Sequence, residues 1–303
     1  MEAYFDNAAT TKVFPEVKDL VVKLMEEDYG NPSSLHQKGL DAGHYIKETK
    51  EILAKEWKVD SKEIVLTSGG TESNNLALIG AALANKRSGN RIITTKVEHA
   101  SVSSTMAFLE SLGFEIIYLN VDHRGIVDLE QLEQEVNEDT ILVSVMYVNN
   151  EIGTVEPIQE IAEIIKEKNP KTLFHVDAIQ AFGKYHIYPK RMGIDLMSVS
   201  GHKIHGPKGT GALFIKSRTK VKPIIYGGGQ QDGMRSGTEN VPGFAGFGLA
   251  TKMVYEDLEA RTVRMRAVKD RLTERLKTLP DVYINEGEAP HILSVSFVGV
   301  RSE

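Results

Sequence analysis

A lysine just beyond an apolar strand pattern and flanked by small residues is a place where chemistry can occur, and Lys203 in Ser198-Val199-Ser200-Gly201-His202-Lys203 is one. The turn at the carboxyl end of a strand is where α/β sheets place their ligands. An amine there either forms a Schiff base with a carbonyl compound or sits as a solvated loop charge, and its companions decide between the two. Asp177 ends the apolar run Leu173-Phe174-His175-Val176, and Gln180 follows three residues later. An acid at a buried strand end calls for a cationic partner such as a protonated ring nitrogen, or else caps the following turn. Leu66-Thr67-Ser68-Gly69-Gly70-Thr71-Glu72 joins a strand pattern to a helix pattern through two glycines and several hydroxyls. Free amides and the helix dipole make that a phosphate cradle, although Thr71-Glu72-Ser73-Asn74 also reads as helix capping.

His99 follows the strand pattern that ends at Thr95; its imidazole either stacks on a planar ring or moves a proton, or plays a structural part. His202 and His205 are three apart, but flanked by Gly201 and Gly206 and with no adjacent carboxylate or thiolate they do not make a metal site. In Gly233-Met234-Arg235-Ser236-Gly237-Thr238, Arg235 and Thr238 are candidates for binding anionic oxygen, against the alternative of a plain surface turn. Neither the Gly69-Gly70 segment nor Gly227-Gly228-Gly229-Gln230-Gln231-Asp232-Gly233 matches the glycine patterns of dinucleotide or ATP sites.

These residues need a scaffold, and the pattern supplies one. Pro15 opens a helix with Val17, Leu20, Val21, Leu24 and Met25 on one face, ended by Gly30-Asn31-Pro32, and a second helix fills Ser34 to Trp57. Beyond it, β-branched runs at 64–66, 91–95, 115–119, 141–148, 173–176, 196–199 and 212–215 alternate with helical stretches over much of that span. That alternation predicts βαβ units and an α/β fold with a mostly parallel seven-stranded sheet flanked by helices. After Gly248 the texture changes to one long charged helix, Ala250 to Leu279, then strand patterns at Val282-Tyr283-Ile284 and Ile292 to Phe297. The expected organisation is an N-terminal segment 1–14 packing with a small domain, a large domain 15–248, and a smaller α+β domain 249–303, thin for an independent core.

Composition narrows the function classes. With 303 residues, 41% hydrophobic and 26% charged, the chain is of ordinary globular composition, and a net charge of −6 supplies no general positive field for nucleic acid or anionic membrane. The first residues lack a signal-peptide pattern and no apolar run reaches a membrane span, so a cytoplasmic location is expected. There are no cysteines, which removes thiolate ligands and thiol nucleophiles from these residues.

Taken together, the motifs resemble pyridoxal-phosphate enzymes of fold type I, and closely the cysteine desulfurases of the nitrogen-fixation and iron-sulfur-assembly type. The matching pieces run in order along nearly the whole chain: Tyr4 to Thr11, Gly30 to Ser34, Thr67 to Asn74, Glu98-His99, Asn149 to Gly153, His175 to Gln180, Ser200 to Lys203 and Arg235 to Thr238. The resemblance implies that Lys203 holds pyridoxal 5'-phosphate as a Schiff base and moves protons at the substrate α-carbon. It implies that Asp177 keeps the pyridine nitrogen protonated, that His99 stacks on the ring and assists proton transfer, that Gln180 contacts the ring hydroxyl, and that Asn149 contacts the ring or the substrate carboxylate. Gly70, Thr71, Ser200 and His202 would bind phosphate, and Thr238 the phosphate of the neighbouring subunit, so that a homodimer follows. The implied reaction converts L-cysteine to L-alanine with sulfur passed to an enzyme cysteine and then to sulfur-acceptor or iron-sulfur scaffold proteins.

The lack of cysteine departs from that family, whose nucleophilic cysteine lies on a mobile loop of the C-terminal domain. The expectation is that this cysteine lies beyond residue 303. The alternatives are a selenocysteine lyase or aminotransferase of the same fold, or a non-catalytic scaffold that binds partner proteins.

Overall fold

The computed structural model describes residues 3–285 and 287–301. Pro15 stands at the first turn of α1 (Pro15–Glu26), where its missing N–H costs nothing, and Val17 and Leu24 are the buried residues of that helix. The second helix, α2 (Gln37–Trp57), begins three residues later than the spacing predicts and buries Ile46, Leu53 and Trp57. Then come β1 (Ile64–Thr67), α3 (Gly70–Asn85), β2 (Arg91–Thr95), α4 (Ala100–Ser111), β3 (Glu115–Leu119), α5 (Leu129–Glu135) and β4 (Thr140–Met146). The alternation continues through α6 (Ile158–Lys168), β5 (Leu173–Asp177), β6 (Leu196–Ser200) and β7 (Gly211–Ile215).

The seven strands form one sheet in the order β1-β7-β6-β5-β4-β2-β3. All pairings are parallel except those of β7, which runs antiparallel to both β1 and β6. The expected mostly parallel seven-stranded sheet is therefore present. All seven residues of β4 and all five of β6 are buried, as strands covered by helices on both faces require. In register, Met146 of β4 lies beside Asp177 of β5, which in turn lies beside Ser198 of β6, so three central strands end their carboxyl edges together.

The expected single helix from Ala250 to Leu279 is two helices. The first, α7 (Val241–Glu256), starts at Asn240, whose side chain accepts from the Gly243 amide, and it packs against α1 and α2. The second, α8 (Leu258–Leu276), follows after Asp257, whose φ of −127° and ψ of 27° break the helical run. The expected boundary at 248–249 lies within α7. The last elements, β8 (Val282–Asn285) and β9 (Ser294–Phe297), pair antiparallel in a separate two-stranded sheet. No helix among the described residues is long and apolar enough to cross a membrane.

Candidate active site

The carboxyl edge of the central strands opens into a cavity of about 450 Å³. Its walls include Gly70, Thr71, His99, Asp177, Gln180, Ser200, His202 and Lys203, together with Asp6, Ala8 and Ala9 of the N-terminal segment. Eight of the ten residues expected to bind or act on a cofactor are therefore brought together from positions spread over more than 130 residues.

Lys203 sits on a single 3-10 turn, Gly201–Lys203, directly after β6. Its Nζ donates to the carbonyl of Ala9 at 2.8 Å and to that of Ala8, so the N-terminal segment holds the amine in place. Burial lowers the Lys203 pKa, while the nearby Asp6 and Asp177 carboxylates oppose the shift. Behind it Lys184, a buried amine pushed down to about 7 by burial, donates to the Lys203 carbonyl at 2.8 Å. Asp177 is buried at the end of β5; its Oδ1 accepts from the Ile179 amide at 3.0 Å and its Oδ2 from Asn74 Nδ2 at 2.8 Å. Burial raises its pKa, and these hydrogen bonds, with the nearby charge of Lys203, pull against that rise. An acid placed there is stabilised as an anion by a cation arriving from the cavity side.

The cradle at the start of α3 is built as its glycines predict. Gly69 has φ 146° and ψ −174°, a backbone region open in practice to glycine alone, and this bend releases the first-turn amides of Gly70 and Thr71 towards the cavity. A Cβ on Gly70 would lie 2.1 Å from Ile179 Cδ1. Ser200 Oγ is buried beside the cradle with no hydrogen-bond partner among the described residues. His202 Nδ1 lies 3.2 Å from Thr10 Oγ1, and burial pushes the ring down to about 4, leaving a neutral imidazole.

Two expected residues stand apart from the cavity walls. Asn149 spends its amide on backbone: Oδ1 accepts from the Glu151 and Ile152 amides, and Nδ2 donates to the Val97 carbonyl at 3.1 Å. It shapes the turn that carries Asn150 and Glu151 to the cavity wall. Thr238 is exposed on the loop before α7. Arg235, read as a candidate for anionic oxygen, meets an internal anion instead: its Nε lies 2.8 Å from Glu72 Oε1. Burial favours a raised Glu72 pKa, but hydrogen bonds from Arg235 and Ser68 hold it below the usual carboxylate range.

Three contributors escaped the sequence reading. Asn74 contacts Asp177 directly, Ser101 Oγ lies 2.9 Å from His99 Nδ1, and His291 Nε2 lies 3.1 Å from Gln180 Oε1 while Gln180 Nε2 donates to the Ala8 carbonyl. The first two sit in plausible helix-capping contexts and the third is 111 residues from its partner, so no local pattern marks them.

A lysine, a buried acid and an anion cradle converging on one cavity at the carboxyl edge of a parallel sheet define a fold type I lysine-dependent cofactor enzyme. The family model of class-V aminotransferases matches residues 3–303. Cysteine desulfurase IscS of Dictyoglomus turgidum is 44% identical over 306 residues, an alignment that takes in 100% of this chain and 77% of that protein. A solved NifS-like protein superposes with a TM-score of 0.97 at 41% identity, covering 99% of this chain and 83% of its own. The solved structure of SspA in complex with cysteine has a TM-score of 0.79 at 39% identity, covering 83% of this chain and 72% of that one. The chain belongs to the class-V aminotransferases and, within them, to the cysteine desulfurase family.

Enzymes of this family depend on pyridoxal phosphate, and the residues present fit it. The unpartnered Ser200 Oγ and the open amides of Gly70 and Thr71 suit a phosphate, the buried Asp177 suits a protonated ring nitrogen, and the amine of Lys203 reaches the same space.

Proposed function

We propose that this chain is a cysteine desulfurase acting on L-cysteine, with Lys203 as the residue that binds the cofactor and handles the proton at the substrate α-carbon. The observation that carries the reading is the juxtaposition, across one cavity, of a Lys203 amine biased towards its neutral form and a buried Asp177. Pyridoxal phosphate, when bound, supplies an electron sink at the substrate carbon. Gly70, Thr71, Ser200 and His202 would hold its phosphate, Asp177 would keep its ring nitrogen protonated, Gln180 would meet the ring hydroxyl, and His99 would contact the ring. The reaction breaks the C–S bond of L-cysteine, leaves the electron pair on carbon where a proton is added to give L-alanine, and passes the sulfur to a thiol. The 303 residues hold no cysteine, so that thiol comes from outside them.

The working unit is a homodimer in the cytoplasm, delivering sulfur to acceptor or iron-sulfur scaffold proteins. Thr238, exposed and away from its own chain's cavity, serves the phosphate of the neighbouring copy, and Phe5, Tyr29, Leu35 and Tyr226 expose large apolar surfaces suited to subunit contact. Residues 15–248 form the cofactor-binding domain and 249–303 part of a smaller one, with which the N-terminal segment up to residue 14 packs.

The test is spectroscopic. Wild-type chain with pyridoxal phosphate is expected to show the visible absorbance of a lysine-bound cofactor and Lys203→Ala to lose it; a variant that keeps it overturns the assignment of Lys203. With L-cysteine and an added thiol, alanine and sulfide are expected, whereas amino-group exchange with a keto acid would replace desulfuration by transamination as the activity. Mass spectrometry is expected to find no persulfide on these residues.

A further inference from the structure

Asn74 uses both protons of its side-chain amide, one on Asp177 Oδ2 at 2.8 Å and one on Ser101 Oγ at 2.8 Å. An ionised carboxylate only accepts, so the nitrogen of the amide faces Asp177 and the carbonyl oxygen faces away. That oxygen, Asn74 Oδ1, is buried without a partner among the described residues. A network kept only for stability gains nothing from an orphaned buried acceptor.

The consequence propagates to His99. Ser101 Oγ accepts a hydrogen bond from the Asn74 amide, so its own O–H is free to donate to His99 Nδ1 at 2.9 Å. The same Nδ1 also accepts the Ser101 backbone N–H at 3.1 Å. With two donors aimed at Nδ1, that nitrogen accepts, and the N–H of the ring resides on Nε2. The backbone bond alone caps α4, so the serine hydroxyl is surplus to capping and serves the imidazole.

We propose that Asn74 and Ser101 are positioning residues that set the tautomer of His99, fixing Nε2–H as the group it offers the cavity and tying its orientation to Asp177. His99 then meets a ligand first as a hydrogen-bond donor. The acid on one side of the site and the imidazole on the other are placed by one shared amide. This rests on the reading of Asp177 and His99 as cofactor-facing residues.

The experiment is nitrogen-15 NMR of imidazole-labelled protein, without and with pyridoxal phosphate, with the His99 signal identified by His99→Gln among the nine histidines. Wild-type His99 is expected in the Nε2–H form in both states. Ser101→Ala removes one of the two donors and is expected to shift the tautomer ratio towards Nδ1–H by about tenfold, with Ser101→Thr restoring the wild-type ratio. Asn74→Leu is expected to shift the same ratio and to weaken pyridoxal phosphate binding about tenfold, because Asp177 loses a hydrogen bond to its charge. An Nδ1–H signal in the wild type, or a ratio that does not move in Ser101→Ala, overturns the proposal; should Asn74→Leu fail to fold, the serine pair alone decides. The tautomer is read in cofactor-free protein, so a failure of the desulfurase reading leaves this result standing and is visible separately as absent cofactor binding or absent sulfide.

Discussion

The central strands and the C-terminal hairpin are both β-structure, yet they are built on opposite terms. Every residue of β4 and β6 is buried, whereas β8 alternates between half-buried and exposed positions and β9 leaves Ser296 and Phe297 in the open. The helices repeat the contrast: α7 buries eleven residues, and α8, longer by three, buries Leu258 alone. The cavity hangs from the first region. Asp177, Ser200 and Lys203 lie at or just after strand ends whose backbones are fixed by neighbours on both sides, which is how a site gains geometric definition. From the second region the segment around His291 reaches the cavity residues through Gln180. The lesson is that stability and the placement of chemistry reside in the same strands, while the C-terminal elements adjust a site they do not build.

The sharpest way to break that comparison is to remove a side chain from each region. Phe174, wholly buried in β5, is expected to cost about 3–5 kcal/mol when changed to alanine, a large share of the roughly 5–15 kcal/mol that holds a domain together. Tyr283 in β8, 66% exposed, is expected to change stability by no more than about 0.5 kcal/mol on the same substitution. Chemical denaturation of the two variants checks both, and equal losses would remove the distinction.

A second effect belongs to the central strands alone. His175 is buried between Ser144 Oγ at 2.8 Å and Ser198 Oγ at 3.0 Å, and burial pushes it down from 6.5 to about 3. The unfolded chain therefore binds a proton that the folded chain refuses in the interval between those values. The stability this neutral ring contributes is complete above pH 6.5 and is lost as pH falls towards about 3. His202, lowered to about 4, acts in the same direction, and Glu156, raised to about 7 by burial, acts in the other as pH rises from about 4.5. His175→Gln, which cannot titrate, is expected to flatten the fall of the denaturation midpoint on acidification; an unchanged slope would show that the loss arises elsewhere.

The same contrast explains what was legible in the sequence. Lys203, Asp177, His99 and the Gly69-Gly70 bend sit where a strand pattern stops, and the end of a parallel strand is a place that sequence periodicity can locate. The seven strands were readable for the same reason, since continuous apolar runs flanked by turn residues admit few other structures. What escaped are contacts between distant segments. Asn74 reaches Asp177 across 103 residues and, seen locally, is one more capping residue at the start of a helix. Arg235 looked free to bind an anion because Glu72, its partner, is 163 residues away. The break at Asp257 was hidden because Ala250 to Leu279 keeps helical spacing on both sides of one residue with a non-helical backbone.

The most local expected effect tests how the C-terminal region is attached. Lys269 on α8 donates to the carbonyls of Gly287 and Ala289, the latter at 2.8 Å, and the Ala289 amide in turn donates to the Gly153 carbonyl at 2.9 Å. This ties the segment before His291 to both the last helix and the turn after β4. Lys269→Met keeps the aliphatic stem and removes the charge that satisfies two carbonyls, at an expected cost of about 1–3 kcal/mol. If the C-terminal elements adjust the site without building it, the loss will be local. Amide exchange should quicken around Gly287 to Ile292 and remain unchanged in β5 and β6, with the visible absorbance of bound cofactor retained. Faster exchange at Asp177 or Ser198 would instead show that the central strands depend on this tie, and the two regions would then have to be treated as one cooperative unit.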